Sequence, residues 1–94
     1  MKNGEISGIF RDIANLLEQK KENWFKIRAY RKVADSIDEL TDDVEKLVYE
    51  DRLQEISGVG PAIKKKITEM ITTGKLAYYE KLKMEFPEEE SDQL

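Results

Sequence analysis

Ile6, Ile9, Phe10, Ile13, Leu16 and Leu17 recur at spacings of three and four. That period predicts an amphipathic helix with one apolar stripe. The polar run 18–23 ends it. Asn23 is placed to cap a second helix, because its amide oxygen can accept a free backbone N–H. The expected buried side of that helix holds Phe25, Ala29, Tyr30, Val33, Ala34 and Ile37. Thr41 is the expected cap of a third helix, with Val44, Leu47 and Val48 inward. Asp42, Asp43 and Glu45 then fall in its first turn, where the helix dipole favours negative charge. Leu53 and Ile56 precede a turn at 57–60. Pro61 suits the first turn of the next helix, where its missing N–H is not needed. That helix carries the stripe Ile63, Ile67, Met70 and Ile71, and Gly74 stops it. A last helix over 75–86 turns Leu76, Tyr79 and Leu82 inward and ends before Pro87. No strand pattern or internal repeat stands out. The pattern predicts an all-α bundle of four to five short helices, with Ile9, Phe10, Ile13, Leu17, Phe25, Val33, Ile37, Leu47, Ile63 and Ile67 in one core.

Composition narrows the chemistry. With 94 residues the chain suits one small domain. It has no cysteine, hence no disulfide or thiolate metal site, and no histidine, the usual general base. The start of the chain lacks a signal peptide's apolar core, and no apolar run reaches membrane-spanning length. An intracellular soluble protein with no membrane partner is expected. The net charge of −4 argues against nucleic acid until its distribution is read. Residues 18–34 hold six bases against two acids, and 35–55 hold nine acids against two bases. Residues 58–67 carry Lys64, Lys65 and Lys66 and no acid. A segregated basic face matters more for phosphate binding than the total does. The acidic clusters lack the compact ligand loop of an EF-hand and are expected to be solvated. The last seven residues, 88–94, hold four acids and no base and read as a disordered acidic tail after a domain spanning 1–87.

The stretch Glu-Ile-Ser-Gly-Val-Gly-Pro-Ala-Ile-Lys-Lys-Lys, 55–66, ties turn and charge together. Gly58 and Gly60 permit backbone angles that side chains forbid. They also let a phosphate approach the backbone, and the N–H groups at a helix start point toward it. The pattern apolar-Ser57-Gly58-Val59-Gly60-Pro61-Ala62-Ile63 resembles the helix-hairpin-helix motif of DNA repair and replication proteins. The bland alternative is a helix–helix turn with no ligand.

A second stretch extends the likeness. Glu22-Asn23-Trp24-Phe25-Lys26-Ile27-Arg28-Ala29-Tyr30-Arg31-Lys32, followed by Ile56–Lys66 and Thr73-Gly74-Lys75-Leu76, resembles the small N-terminal lyase domain of X-family DNA polymerases over about residues 3–87. Bacterial and archaeal members are the nearer ones: their Gly-Glu-Asn-Pro-Phe is similar to Lys21-Glu22-Asn23-Trp24-Phe25, with Trp24 replacing proline. The resemblance implies binding, without sequence preference, at the 5′-phosphate side of gapped DNA. It also implies removal of a 5′-deoxyribose phosphate in base excision repair, through a lysine Schiff base that requires no metal. It further implies a monovalent cation at the hairpin, the remainder of a polymerase chain as partner, and a cytoplasmic, nucleoid-associated prokaryotic location. Residue by residue, the nucleophile falls on Lys66, the phosphate-binding lysine on Lys26, and the hydroxyl beside the nucleophile on Tyr30. Gln54, Ala62 and Tyr78 stand where animal members carry further phosphate lysines, while Lys64 and Lys65 add charge elsewhere. The chain is too short for a polymerase, and no set of strand-borne metal carboxylates is visible.

Taken by itself, Lys66 has two readings. A lysine amine must lose its proton to attack a carbonyl, and its ordinary pKa is about 10.4. Lys64, Lys65 and Lys26 would lower that value, while Glu69 one turn on would raise it. The other reading makes 64–66 a solvated helix face that meets phosphates. Arg28, Arg31 and Lys32, together with Gly58, Val59, Gly60 and Ala62, complete the expected DNA surface. Tyr30 is expected as a partly buried ring with its hydroxyl exposed. Trp24 belongs either to the core or to a base-stacking surface. A helical protein-interaction domain is the competing function, supported by the acidic face.

Overall fold

Residues 1–86, the part of the chain described by the computed structural model, fold into five α-helices and one turn of 3-10 helix. α1 spans Asn3–Gln19, α2 Trp24–Asp38 and α3 Val44–Tyr49. The 3-10 turn is Leu53–Glu55, α4 is Pro61–Thr73 and α5 is Ala77–Met84. No strand occurs among the described residues. The fold is all-α, as the periodicity predicts. Pro87 and the acidic segment 88–94 lie outside the described residues.

α1 and α2 pack as an antiparallel pair. Ser7 and Arg11 meet Asp38 and Asp35 at one end, with Ser7 Oγ donating to Asp38 at 2.6 Å and Arg11 to Asp35 at 2.7 Å. Asn15 and Glu18 meet Arg31 at the other. Between these polar ends lie Phe10, Ile13, Ala14, Leu17, Ile27, Tyr30, Val33, Ala34 and Ile37, all buried. Leu47, Leu53, Ile56, Ile67, Met70, Leu76 and Leu82 close the same core from α3 to α5. Ile9 and Ile63, expected inside it, are only partly buried and pack against its edge.

Phe25 corrects the expected core. It is 77% exposed, Trp24 is 52% exposed, and Ala29 is exposed too. The buried arc of α2 runs through Ile27, Tyr30, Val33, Ala34 and Ile37. At about 100° per residue, Phe25 stands on the opposite side with Arg28, Ala29 and Lys32. The three–four spacing admitted Phe25 and Ala29 to the stripe, but the neighbouring helices cover a face centred on Ile27 and Val33.

The cap of α3 is also not the expected one. The helix starts at Val44, so of the three acids only Glu45 lies in its first turn. Thr41 stays in the preceding loop. The cap comes from α1 instead: Asn3 Oδ1 accepts the Val44 N–H at 2.9 Å, while Asn3 Nδ2 donates to the Asp42 carbonyl at 2.9 Å. One amide thus satisfies a donor and an acceptor and fixes α3 to the start of α1. Asn3→Ala should cost about 1 kcal/mol in urea denaturation, the usual worth of such a cap. An unchanged midpoint would mean that the link does not persist in solution.

α5 runs beside α1. Tyr79 donates its hydroxyl to Asp12 at 2.7 Å, and Lys20 pairs with Glu85 at 2.8 Å. The start of α5 is held by α4, where Glu69 Oε2 accepts the Ala77 N–H at 2.8 Å. These links place Tyr78 over α4.

Candidate nucleic-acid interface

The hairpin leads into α4. Its first arm is the single 3-10 turn, with Ile56 N–H returning to Leu53 and Val59 N–H to Ile56. Gly58 sits at φ +90°, a left-handed angle that an L side chain adopts only under strain. Gly60 does not share that role. Its φ of −97° is ordinary extended backbone. What Gly60 contributes is space, for nothing lies within 4 Å of where its Cβ would be. α4 has no side-chain cap, so the N–H groups of its first turn are left to water or a ligand. Lys32 of α2 reaches this turn: its side-chain carbons lie 3.6–3.9 Å from the position a Cβ on Gly58 would take.

Beside the hairpin is an open groove of about 450 Å³. Pro61, Ala62, Lys65, Lys66 and Glu69 of α4 form one wall, and Leu76 and Tyr78 the other. Lys66 Nζ lies 4.9 Å from the centre of the Tyr78 ring. Lys26 Nζ, from α2, lies 5.6 Å from the same centre. The Tyr78 ring is stacked on Tyr30 at 6.4 Å, and Tyr30 touches Phe10 at 5.7 Å. An aromatic ladder therefore runs from the core to the groove.

The electrostatics follow from this arrangement. Burial pushes the Lys66 amine below its usual range, and Lys26 pushes it further, while Glu69 opposes both. Tyr30 is pushed the other way, above the usual phenol range, first by its own burial and then by Tyr78. It therefore stays a neutral phenol at physiological pH. At 4% exposure its hydroxyl is not the exposed group expected from sequence, and Tyr30 is not among the groove's lining residues.

The expected site residues thus separate. Lys65, Lys66 and Ala62 line the groove, and Lys26 reaches the Tyr78 ring on its wall from α2. Gly58, Val59, Gly60 and Lys32 come together at the hairpin, with Val59 half-buried against the core. Arg28 is exposed on α2, one turn from Lys32 on the same face. Two others point elsewhere. Lys64 pairs with Asp51 at 3.1 Å, and Arg31 pairs with Glu18 at 2.6 Å on the α1 side. Both pairs are exposed and weak, so each cation stays available to a stronger anion. Tyr78 had registered in the sequence only as a missing lysine, and Glu69 only as an opposing charge. No periodicity signals a ring shared by two lysines from different helices. Among the described residues, no group of three or more His, Cys, Asp or Glu is placed to hold a metal ion, and no helix is long and apolar enough to cross a membrane.

A search of curated proteins found no match. The family model described as a helix-hairpin-helix domain matches residues 1–76. That span takes in α1 through α4, the hairpin with its left-handed Gly58, and the residue that opens α5. The chain belongs to the helix-hairpin-helix domain family.

Proposed function

We propose that the chain binds DNA at gaps or 5′-phosphate ends during repair, as a domain of the X-family polymerase kind, and that Lys66 acts there as a Schiff-base lysine on a 5′-deoxyribose phosphate. Helix-hairpin-helix domains commonly bind DNA, which supports the first half. The observation that carries the second is the placing of Lys65 and Lys66 in one groove beside an uncapped helix start, with Lys26 sharing the Tyr78 ring on its wall. Phosphate contacts of this kind position a duplex end and carry no sequence information. Trp24 and Phe25 offer exposed rings at the start of α2, next to Lys26, on which unpaired bases can stack. A monovalent cation at the hairpin would be held by the backbone carbonyls of 57–60, since that turn has no acidic side chain.

In the reaction, the Lys66 amine gives up a proton to water and adds to the C1′ aldehyde of the ring-opened sugar. Loss of water forms the imine. A base then takes the C2′ proton, and the C3′–O3′ bond breaks with its electrons leaving on the phosphate oxygen. Hydrolysis of the imine returns the amine. Tyr30, a neutral phenol, is not that base; Glu69 is the carboxylate that lines the groove.

Trp24 is the chain's single tryptophan and reports on the binding step. Titration with gapped, 5′-phosphorylated DNA should change its fluorescence. The amide resonances of 58–66 and of Lys26 and Arg28 should shift in the same titration. With four phosphate contacts, affinity should fall about 10²-fold between roughly 50 and 200 mM salt. Shifts confined to 35–51, or no response to DNA, would instead favour the protein-interaction reading.

A further inference from the structure

We propose that Tyr78 is the positioning residue for Lys66: its ring, shared with Lys26 and backed by Tyr30, holds the Lys66 amine inside the groove and away from water. The inference rests on the reading of Lys66 as a reactive amine. It starts from the two ammonium groups, which come from α4 and α2 and approach one ring at 4.9 and 5.6 Å. Exposed Lys26 and half-buried Lys66 carry like charge and would otherwise move apart into solvent. A ring face attracts each cation at these distances, and so offsets part of their mutual repulsion.

The ring is backed by Tyr30, and its flanking residues are tied down. Tyr30 stacks on it at an interplanar angle of 14°. Glu69 binds the backbone N–H of Ala77, the residue before it. Tyr79, the residue after it, is tied to Asp12. The backbone that carries Tyr78 is thus anchored on both sides, to α4 and to α1, and its ring leaves the groove only by giving up the stack on Tyr30. The consequence is chemical. A third ammonium in the groove would bind phosphate more strongly, whereas the ring shields part of Lys66 from water beside Lys26.

The charged and titratable groups around Lys66 are Lys26 from α2, Lys65 and Glu69 from α4, and Tyr78 from α5, with Tyr30 of α2 stacked on the Tyr78 ring. Tyr30 is neutral, and Lys65 is exposed on its own helix. Glu69 favours the protonated amine, while burial and Lys26 favour the neutral one. Loss of the ring would release both ammonium groups into water. Desolvation and repulsion would then fall together, outweighing the lost ring attraction, and the amine would return toward the ordinary lysine value.

The test uses the intact chain and no DNA. The Cε and Nζ resonances of Lys66 are followed against pH, and the rate of reductive methylation by formaldehyde and cyanoborohydride is measured at Lys66 and Lys65. In that reaction the neutral amine and formaldehyde lose water to form an imine, which hydride from cyanoborohydride reduces to the N-methyl amine. In the unaltered chain Lys66 should titrate below the ordinary lysine value, and its methylation should outpace that of Lys65. Tyr78→Ala should raise the Lys66 midpoint and slow its methylation roughly threefold or more, equivalent to about half a pKa unit. Tyr78→Phe should preserve both values, since the ring and not the hydroxyl does the holding. Should Tyr78→Ala fail to fold, Lys26→Met, a change at an exposed site, should raise the Lys66 midpoint with the ring intact. An unmoved or lowered midpoint in Tyr78→Ala would overturn the proposal, as would an unmoved one in Lys26→Met. The lyase reading fails separately: a Tyr78-dependent midpoint without any trapping of DNA would leave Tyr78 positioning a lysine that only binds phosphate.

Discussion

Phe10→Ala should lower the free energy of unfolding by about 3–5 kcal/mol, the range for removing a fully buried aromatic ring. Phe10 is 0% exposed and lies where α1 meets α2, with its ring 5.7 Å from that of Tyr30. The cost combines lost apolar burial with a cavity the helices cannot close. Their approach is limited by the other buried side chains between them, Ile13, Ala14, Leu17, Val33 and Ala34. A domain of this size commonly has about 5–15 kcal/mol in total, so the variant would stand near the edge of unfolding. Urea denaturation followed by helical circular dichroism measures the loss. A cost below about 1 kcal/mol would mean that the core is organised around other residues. The change should also loosen Tyr30, and through it the ring of Tyr78.

Lys66→Ala should remove most of the covalent product when the chain is incubated with DNA bearing a 5′-deoxyribose phosphate and then treated with borohydride. Borohydride reduces the imine to a stable amine, so only a lysine that attacks the sugar is captured. A loss of about 10²-fold or more is expected, since losing a nucleophile removes the reaction path itself. Binding should weaken only modestly, with the salt slope reduced by about one, because one phosphate-facing charge among several is lost. Lys64→Ala should still trap: Lys64 faces Asp51 rather than the groove. Trapping by the unaltered chain should rise with pH through a midpoint below the ordinary lysine value, as burial and Lys26 favour the neutral amine. The sign for stability is the reverse of that for a paired lysine. A lowered folded pKa means a penalty present at low pH and relieved as pH rises toward the unfolded value. Lys66→Met should therefore match or exceed the stability of the unaltered chain near neutral pH. Trapping that survives Lys66→Ala would move the nucleophile elsewhere. A clear loss of stability in Lys66→Met would argue that Lys66 is structural.

Much of the local structure was legible because it depends on groups close in sequence. Asn23 caps α2 by accepting the Phe25 N–H at 2.8 Å, Pro61 opens α4, and Gly74 ends it in the left-handed region at φ +84°. Each is a backbone requirement met within a few residues. The stripes of α1 and α4 also carried their own answer, since Phe10, Ile13, Leu17, Ile67 and Met70 repeat often enough to define one face. α2 was ambiguous: Phe25 and Ala29 fit a three–four spacing as well as Ile27 does. A period defines an arc only to within a residue or two, and the neighbouring helices choose its centre.

The candidate site divides along the same line. Amino-acid order alone determined the all-α class, the left-handed turn at Gly58, the helix start at Pro61 and the pooling of positive charge in 18–34 and 64–66. Those are properties of single residues and their immediate neighbours. Tertiary structure decided which charges meet. It sent Lys64 to Asp51 and Arg31 to Glu18, and brought Lys26 and Lys66 to one ring on α5. It also took the cap of α3 from Asn3, which lies 41 positions before the N–H it accepts. The physical reason is range. Backbone angles and caps act over one turn of helix, whereas ion pairing, burial and a shifted amine depend on distances set only when the helices pack.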